Sequence, residues 1–251
     1  MPEVRPLTDV PAPLPGEPED ENRCVTTSRT ARVSRMFARI AHRYDLMNRL
    51  MSTGRDQSWR AYAARLATPS PGARVLDVAT GTGDLALALQ HRGCAVVGLD
   101  PCDAMLRLGL EKSNRSITCV LADAHSLPFK GEAFDCVTVA FGVRNMADVV
   151  AALREMRRVL RPGGRVVCLE IMPPEGGLLG SCYRLYLNRI IPWLGGWVSG
   201  HPEAYQYLSG SVMGFQDPEG LKAMMEAAGF LSVAYCLLQL GAIAIHVGFR
   251  R

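Results

Sequence analysis

From Arg74 onward, short runs of β-branched and other apolar residues alternate with stretches whose apolar positions recur every three or four residues. RVLDVA, AVVGLD, ITCVLA, FDCVTVA and RVVCLEI read as strands, and DLALALQ, AMLRLGLEK and a segment running through Leu160 read as helices. Such alternation predicts a parallel sheet with crossover helices. A helix around Leu221 to Ala228 follows, stopped by Gly229, and then two apolar runs, 232–238 and 242–249, meet at a short turn around Gly241. A parallel crossover needs a dozen or more residues, so this last pair must be antiparallel. The expectation is an α/β fold with a doubly wound, mostly parallel seven-stranded sheet that ends in a C-terminal antiparallel hairpin.

Ahead of the sheet the pattern changes. Val33, Phe37, Ile40, Tyr44 and Met47 recur at helical spacing in a region, Arg29 to Arg65, that holds nine arginines and two aspartates. This predicts a basic amphipathic helical cap over 29–68. Arginines 32, 35, 39 and 43 form a second stripe beside the apolar one, either a solvated face or a face that rests on anionic phospholipid. Residues 1–23 carry six acids against Arg5 and Arg23, with six prolines in the first twenty positions, so residues 1–28 are expected to be a disordered leader. The rest, 29–251, is expected to form a single domain, with a sheet core at 74–171, an insertion at 175–216 and a closing helix and hairpin at 217–251.

Composition narrows the class. Apolar residues make up 48% and charged residues 21% of 251, enough for a full core. The eight cysteines include no C-x-x-C pair, which points to reduced thiols and no metal site. No apolar run reaches the length of a membrane span and no signal peptide is legible, so a cytoplasmic protein is expected.

The candidate chemistry centres on DVATGTGDLA, residues 77–86, whose glycines outline a nucleotide-binding turn. Asp77, Asp100 and Asp123 fall at or near the carboxyl ends of the first three predicted strands. In a doubly wound sheet those ends share one rim, above which ligands bind. Asp77 and Asp84 would stand beside a pyrophosphate at Coulombic cost, which argues against a nicotinamide dinucleotide. S-adenosylmethionine fits better. Its ammonium and sulfonium are positive, its carboxylate can take backbone amides near Thr82 and Gly83 behind Gly81, its ribose needs an acceptor such as Asp100, and Asp123 and Ala124 would meet the adenine.

These segments resemble a known family. LDVATGTGD, GLDPCDAML, ADAHSLPF, FDCVTVAFGVRN and LRPGG, with YDLMN before the sheet and AYQYLSGSV and LKAMMEAAGF after it, are similar to the methyltransferases that carry out the ring-carbon methylation of menaquinone and ubiquinone biosynthesis. The resemblance implies a class I, Rossmann-like S-adenosylmethionine-dependent fold, with Met105 and Ala140 added to the cofactor residues. It departs from the family at Ala140, where a serine or glycine is common, and at His201-Pro202-Glu203. The implied substrate is a small lipophilic quinol, either demethylmenaquinol or the benzoquinol of the ubiquinone pathway, with peripheral contact to an anionic membrane at its inner face.

On the substrate side, seven of seventeen aromatic residues lie between Tyr183 and Phe215, suited to helix packing or to walling an apolar pocket. Ring methylation needs a hydroxyl proton to leave the quinol. Arg144 stays protonated, so it is expected to hold the developing oxyanion rather than act as base. Asn145 would add a hydrogen bond or cap the helix beginning near Ala147. Tyr44 and His201 are candidates for proton relay or positioning, and Glu170 faces either substrate or solvent. A noncatalytic S-adenosylmethionine-binding protein and a nucleic-acid methyltransferase are the rivals. The second is disfavoured because the basic region lacks stacking aromatics on strands.

Overall fold

The computed structural model describes residues 28–68, 70–174 and 176–251. Seven strands form one sheet in the order β3-β2-β1-β4-β5-β7-β6. They are β1 (Arg74–Val78), β2 (Ala95–Asp100), β3 (Thr118–Leu121), β4 (Phe134–Ala140), β5 (Leu160–Ile171), β6 (Leu231–Leu238) and β7 (Ile243–Phe249). The first five run parallel, and β7 is antiparallel to both β5 and β6. The predicted hairpin is therefore present. Strand order reverses between β1 and β4, so the crevice expected of a doubly wound sheet lies at the carboxyl ends of those two strands.

Period-two alternation divides the strand residues between two cores. Val75, Cys136, Val167 and Ile245 face the helices α2 (Arg55–Ala67) and α3 (Asp84–Gln90) through Ala63, Ala64, Leu85 and Leu89. Leu76, Val137, Val166 and Ala244 face the opposite way, against α5 (Val149–Val159) and α9 (Pro218–Ala227) through Leu153, Met156, Leu221 and Met225. Between α3 and α5 the chain forms α4 (Asp103–Lys112), packed through Leu106 on Ala86 and Ile117. The RPGG turn is looped out at the start of β5: Phe134 pairs with Leu160 and Cys136 with Arg165, so the turn has no counterpart on β4.

Two features differ from the sequence reading. The basic region is two helices, α1 (Ser28–Ser52) and α2, broken where Thr53 and Gly54 both take positive φ, 52° and 77°. The aromatic insertion is helical throughout: α6 (Gly177–Leu185), a π-helical turn (Tyr186–Ile190), α7 (Ile191–Ser199) and α8 (Pro202–Met213). These helices share a core of their own with α1, made by Ile40, Met47, Leu187, Ile191, Tyr205 and Val212. The acidic leader expected over 1–28 lies, up to residue 27, outside the described residues.

Candidate functional site

At the carboxyl ends of β1 and β4, Ala79 and Phe141 both adopt left-handed backbone, with φ of 53° and 60°. Neither is a glycine, and such strain, about 1–3 kcal/mol per residue, persists where surroundings enforce it and gathers at functional sites. The glycine turn between β1 and α3 needs positive φ at Gly81 (56°) and Gly83 (80°), which a side chain would resist.

Asp77 anchors this turn from beneath. It is sealed from solvent, and its carboxylate accepts hydrogen bonds from Thr80 Oγ1 at 2.7 Å and Thr138 Oγ1 at 2.6 Å. Thr138 is its register partner on β4. Asp100 accepts from the amides of Gly81 (2.9 Å) and Cys102 (2.8 Å), so one carboxylate ties the turn to the end of β2. Burial pushes both acids up to about 6, and the Asp77 charge adds to the rise at Asp100.

Asp100, Asp123 and Ala124 line a narrow cleft with Val78, Leu99 and Met146, and no lysine or arginine is among its described lining residues. Helix α1 roofs it through Thr30, Val33, Ser34 and Phe37, leaving about 80 Å³ open. Ligand sites run to about 300–1,000 Å³, so this cleft is narrow, and α1 is the element that narrows it. The donor set fits S-adenosylmethionine: strand-end carboxylates for hydroxyls and cationic groups, an apolar slot for a base, and, among the described lining residues, no lysine or arginine to answer a phosphate, the imidazole of His125 being paired with Asp123.

A much larger cavity, about 400 Å³, lies between the sheet rim and the cap. Tyr183, Tyr186, Leu187 and Ile191 wall one side of it, Phe37, Ile40 and Tyr44 another. Its polar residues include Arg60, Asp56, Arg144, Asn145 and Tyr207. Arg144 belongs to a 3-10 turn, Val143–Asn145, just past β4. Its Nη1 donates to the Phe141 carbonyl (2.7 Å) and to the Glu170 carboxylate, while its buried Nε–H has no hydrogen-bond partner. Asn145 Oδ1 accepts from the Tyr207 hydroxyl at 3.2 Å. Phe37 and Asn145 line both spaces, so the cleft and the cavity adjoin there.

The profile of the ubiE/COQ5 methyltransferase family matches residues 25–250. The chain belongs to that family. It is an S-adenosylmethionine-dependent methyltransferase. A demethylmenaquinone methyltransferase of Thermus thermophilus is 53% identical over 220 residues, covering 86% of this chain and all of the relative. A ubiquinone/menaquinone biosynthesis C-methyltransferase UbiE of Rubrivivax gelatinosus is 40% identical, covering 88% of each. Among solved structures, a possible histamine N-methyltransferase from Thermotoga maritima superposes with a TM-score of 0.65 at 19% identity, covering 87% of this chain and all of that one, a likeness of fold.

Within this methyltransferase the residues singled out from sequence separate into groups. Asp100, Asp123 and Ala124 line the cleft, and Tyr44, Arg144 and Asn145 line the cavity. Asp77 does not line the cleft; it is buried beneath the turn, hydrogen-bonded to both threonines, and bears on the site through its charge, which acts on Asp100. Gly83's amide is spent on the Thr80 carbonyl, at 2.9 Å. Thr82 donates to Asp45 of α1, at 2.6 Å, because α1 lies over the turn. Met105 is buried against Ala41 and Cys102, between α4 and α1, and Ala140 packs toward the core beneath α2; neither lines the cleft. Asp84 repels less than its charge suggests, since Lys112 meets it at 2.5 Å and Arg60 at 3.9 Å. These cations, with desolvation opposing them, hold its pKa below the ordinary carboxylate range.

His201 lies outside the cavity. It immediately precedes α8, pairs with Glu203 at 3.0 Å and is half-buried, because the chain turns at Gly200 so that Ala204 and Tyr205 face inward while Pro202 and Glu203 are exposed. Asp148, rather than Asn145, caps α5, accepting from the Ala151 amide at 2.9 Å. Glu170 faces neither substrate nor solvent but the buried side of Arg144.

The sequence reading missed Asp56, Arg60 and Tyr207. Asp56 and Arg60 share a buried face of α2 with Ala63, Ala64 and Ala67, and a charged pair in register with a run of small residues was the available signal. Arg60 stacks over the Phe141 ring at 5.0 Å.

Proposed function

We propose that the protein methylates a ring carbon of a reduced polyprenyl quinone precursor, with demethylmenaquinol as the substrate. The observation that carries this reading is an aromatic-walled cavity, with Arg144 among its lining residues, adjoining an acid-lined cleft at Phe37 and Asn145. The name of the 53% relative favours demethylmenaquinol, and relatives named for both quinones keep the ubiquinone-pathway benzoquinol as the second reading.

When bound, S-adenosylmethionine supplies an electrophilic methyl group. Asp100 and Asp123 would hold it in the cleft, with Asp77 keeping the glycine turn in place. The cavity walls take the aromatic ring and exclude water, which strengthens every polar contact made inside. A quinol hydroxyl becomes a better activator of its ring as its proton leaves, and Arg144, which lines the cavity, can hold the oxyanion through its guanidinium donors. Glu170 fixes the guanidinium and offsets its buried charge. Tyr183 stays a hydrogen-bond donor, since burial raises its phenol above the ordinary tyrosine range. Among the described lining residues the one carboxylate is Asp56, which would accept the hydroxyl proton, with Tyr44 as positioning residue. The arginine stripe of α1 would rest on anionic headgroups.

Anaerobic methyl-transfer assays with demethylmenaquinol and with the ubiquinone-pathway benzoquinol test the reading. Turnover should favour the first. Activity confined to the second moves the substrate assignment, and activity on neither refutes the proposal.

A further inference from the structure

The helical segment from α6 through the π turn to α7 has two faces of opposite use. Tyr183, Tyr186, Leu187 and Ile191 point into the cavity. On the other side, Leu178, Cys182, Leu185, Arg189, Trp193 and Trp197 are exposed and recur every three or four residues, one continuous helical stripe. The π turn, Tyr186–Ile190, lies midway along this stripe. Leu178 is 81% exposed, Trp193 70% and Trp197 81%. Soluble proteins rarely leave so contiguous an apolar strip in water without a partner. Residues 176–201 contain Arg184 and Arg189 and no aspartate or glutamate. The neighbouring α1 exposes Arg35, Arg39, Arg43, Leu46 and Leu50 along its own outer side.

We propose that this stripe is a docking surface for an anionic lipid bilayer, with Trp193 and Trp197 at headgroup level and Leu178 and Leu185 in the acyl boundary. Tryptophan suits that depth because its ring is apolar and its N–H needs a polar partner. A helix with one apolar face and flanking arginines lies in the interface plane. No helix among the described residues is long and apolar enough to cross a membrane, so attachment would be superficial.

The inference rests on the polyprenyl-quinol reading and deepens it. A cavity of about 400 Å³ accommodates a ring head group, and an isoprenoid tail must continue into an apolar phase beyond the wall. A bilayer held against that wall's outer face supplies the phase. A second copy is a poorer occupant. An isologous contact along the stripe sets Arg184 and Arg189 against the same arginines of the other copy, with no acid between residues 176 and 201 to answer them, whereas anionic headgroups do.

The test uses the full chain and vesicles of phosphatidylcholine alone or mixed with phosphatidylglycerol, some with brominated acyl chains. Wild-type protein should sediment with the anionic vesicles, and the bromines should quench its tryptophan fluorescence. The double variant Trp193→Ser/Trp197→Ser should lose at least tenfold in vesicle partition while methylating a short-tailed, detergent-dispersed quinol at the wild-type rate. Arg184→Gln/Arg189→Gln should lose the preference for anionic vesicles. The docking surface is overturned if wild type does not bind at low salt, if the tryptophan variant binds as before, or if the stripe mediates a dimer that ignores vesicles. Vesicle binding is read without substrate, so its failure removes the docking surface alone; failure of wild type to methylate the short-tailed quinol removes the substrate reading instead.

Discussion

Arg144 and Glu170 form a buried ion pair at the edge of the cavity, with 4% and 0% of their side chains exposed. The pair joins the turn after β4 to the end of β5, and a second bond runs from the Arg144 amide to the same carboxylate at 3.3 Å. Removing one partner strands a charge, which typically costs about 3–5 kcal/mol.

Stability and catalysis should therefore separate in a double variant. Arg144→Ala should lose roughly 100-fold or more in turnover, the usual scale for one oxyanion donor, and should also unfold at lower denaturant. Adding Glu170→Gln should restore most of the stability without restoring turnover, while cofactor affinity measured by calorimetry stays near wild type in both. Recovery of turnover along with stability would make Arg144 structural only.

Cofactor affinity should depend on pH through Asp77 and Asp100, both raised to about 6 in the free protein. A cation bound above them favours their charged forms, so binding releases protons and weakens as pH falls through 6. Two such groups imply roughly a tenfold loss between pH 7.5 and 5.5. For folding the sign is opposite. Their folded pKa lies above the unfolded value, so their contribution to stability is fully present below about 3.8 and is lost as pH rises through 6. The thermal shift caused by S-adenosylmethionine should then be larger at pH 7.5 than at 5.5. A shift independent of pH would detach these acids from the cofactor.

Gly195 tests the cap separately from the cleft. A Cβ there would collide with the Tyr205 ring, so α7 and α8 approach closely only because this position lacks a side chain. Gly195→Ala should destabilise the protein by about 1–3 kcal/mol and raise the KM for quinol, leaving cofactor affinity unchanged. Weakened cofactor binding would show that cap and cleft are coupled more tightly than the geometry implies.

Much of this arrangement was legible before the structure. Apart from β5, the predicted strands fall within a residue of those observed, because each alternates between two buried faces; Val75 and Leu76, or Cys136 and Val137, serve opposite cores, whereas β5 begins five residues before the predicted RVVCLEI, at Leu160, where a helix was expected to run. Asp100 and Asp123 were found because strand ends share a rim. Their finer roles were not legible. Whether Asp77 meets a ligand or two threonines depends on register with Thr138, sixty-one positions away, which no local pattern encodes. Tertiary turns decide His201 and Asn145 in the same way. The cap helices were hidden because the segment is apolar on both sides, so it shows no amphipathic period.

The central claim is that the cavity receives an electron-rich, reduced ring beside a bound methyl donor. The most direct measurement is single-turnover transfer of labelled methyl from S-adenosylmethionine under anaerobic conditions, with the same short-tailed demethylated naphthoquinone supplied in reduced and in oxidised form. Label should appear on a ring carbon of the reduced compound and be absent from the oxidised one. Equal labelling of both, or label recovered on oxygen, would contradict the account.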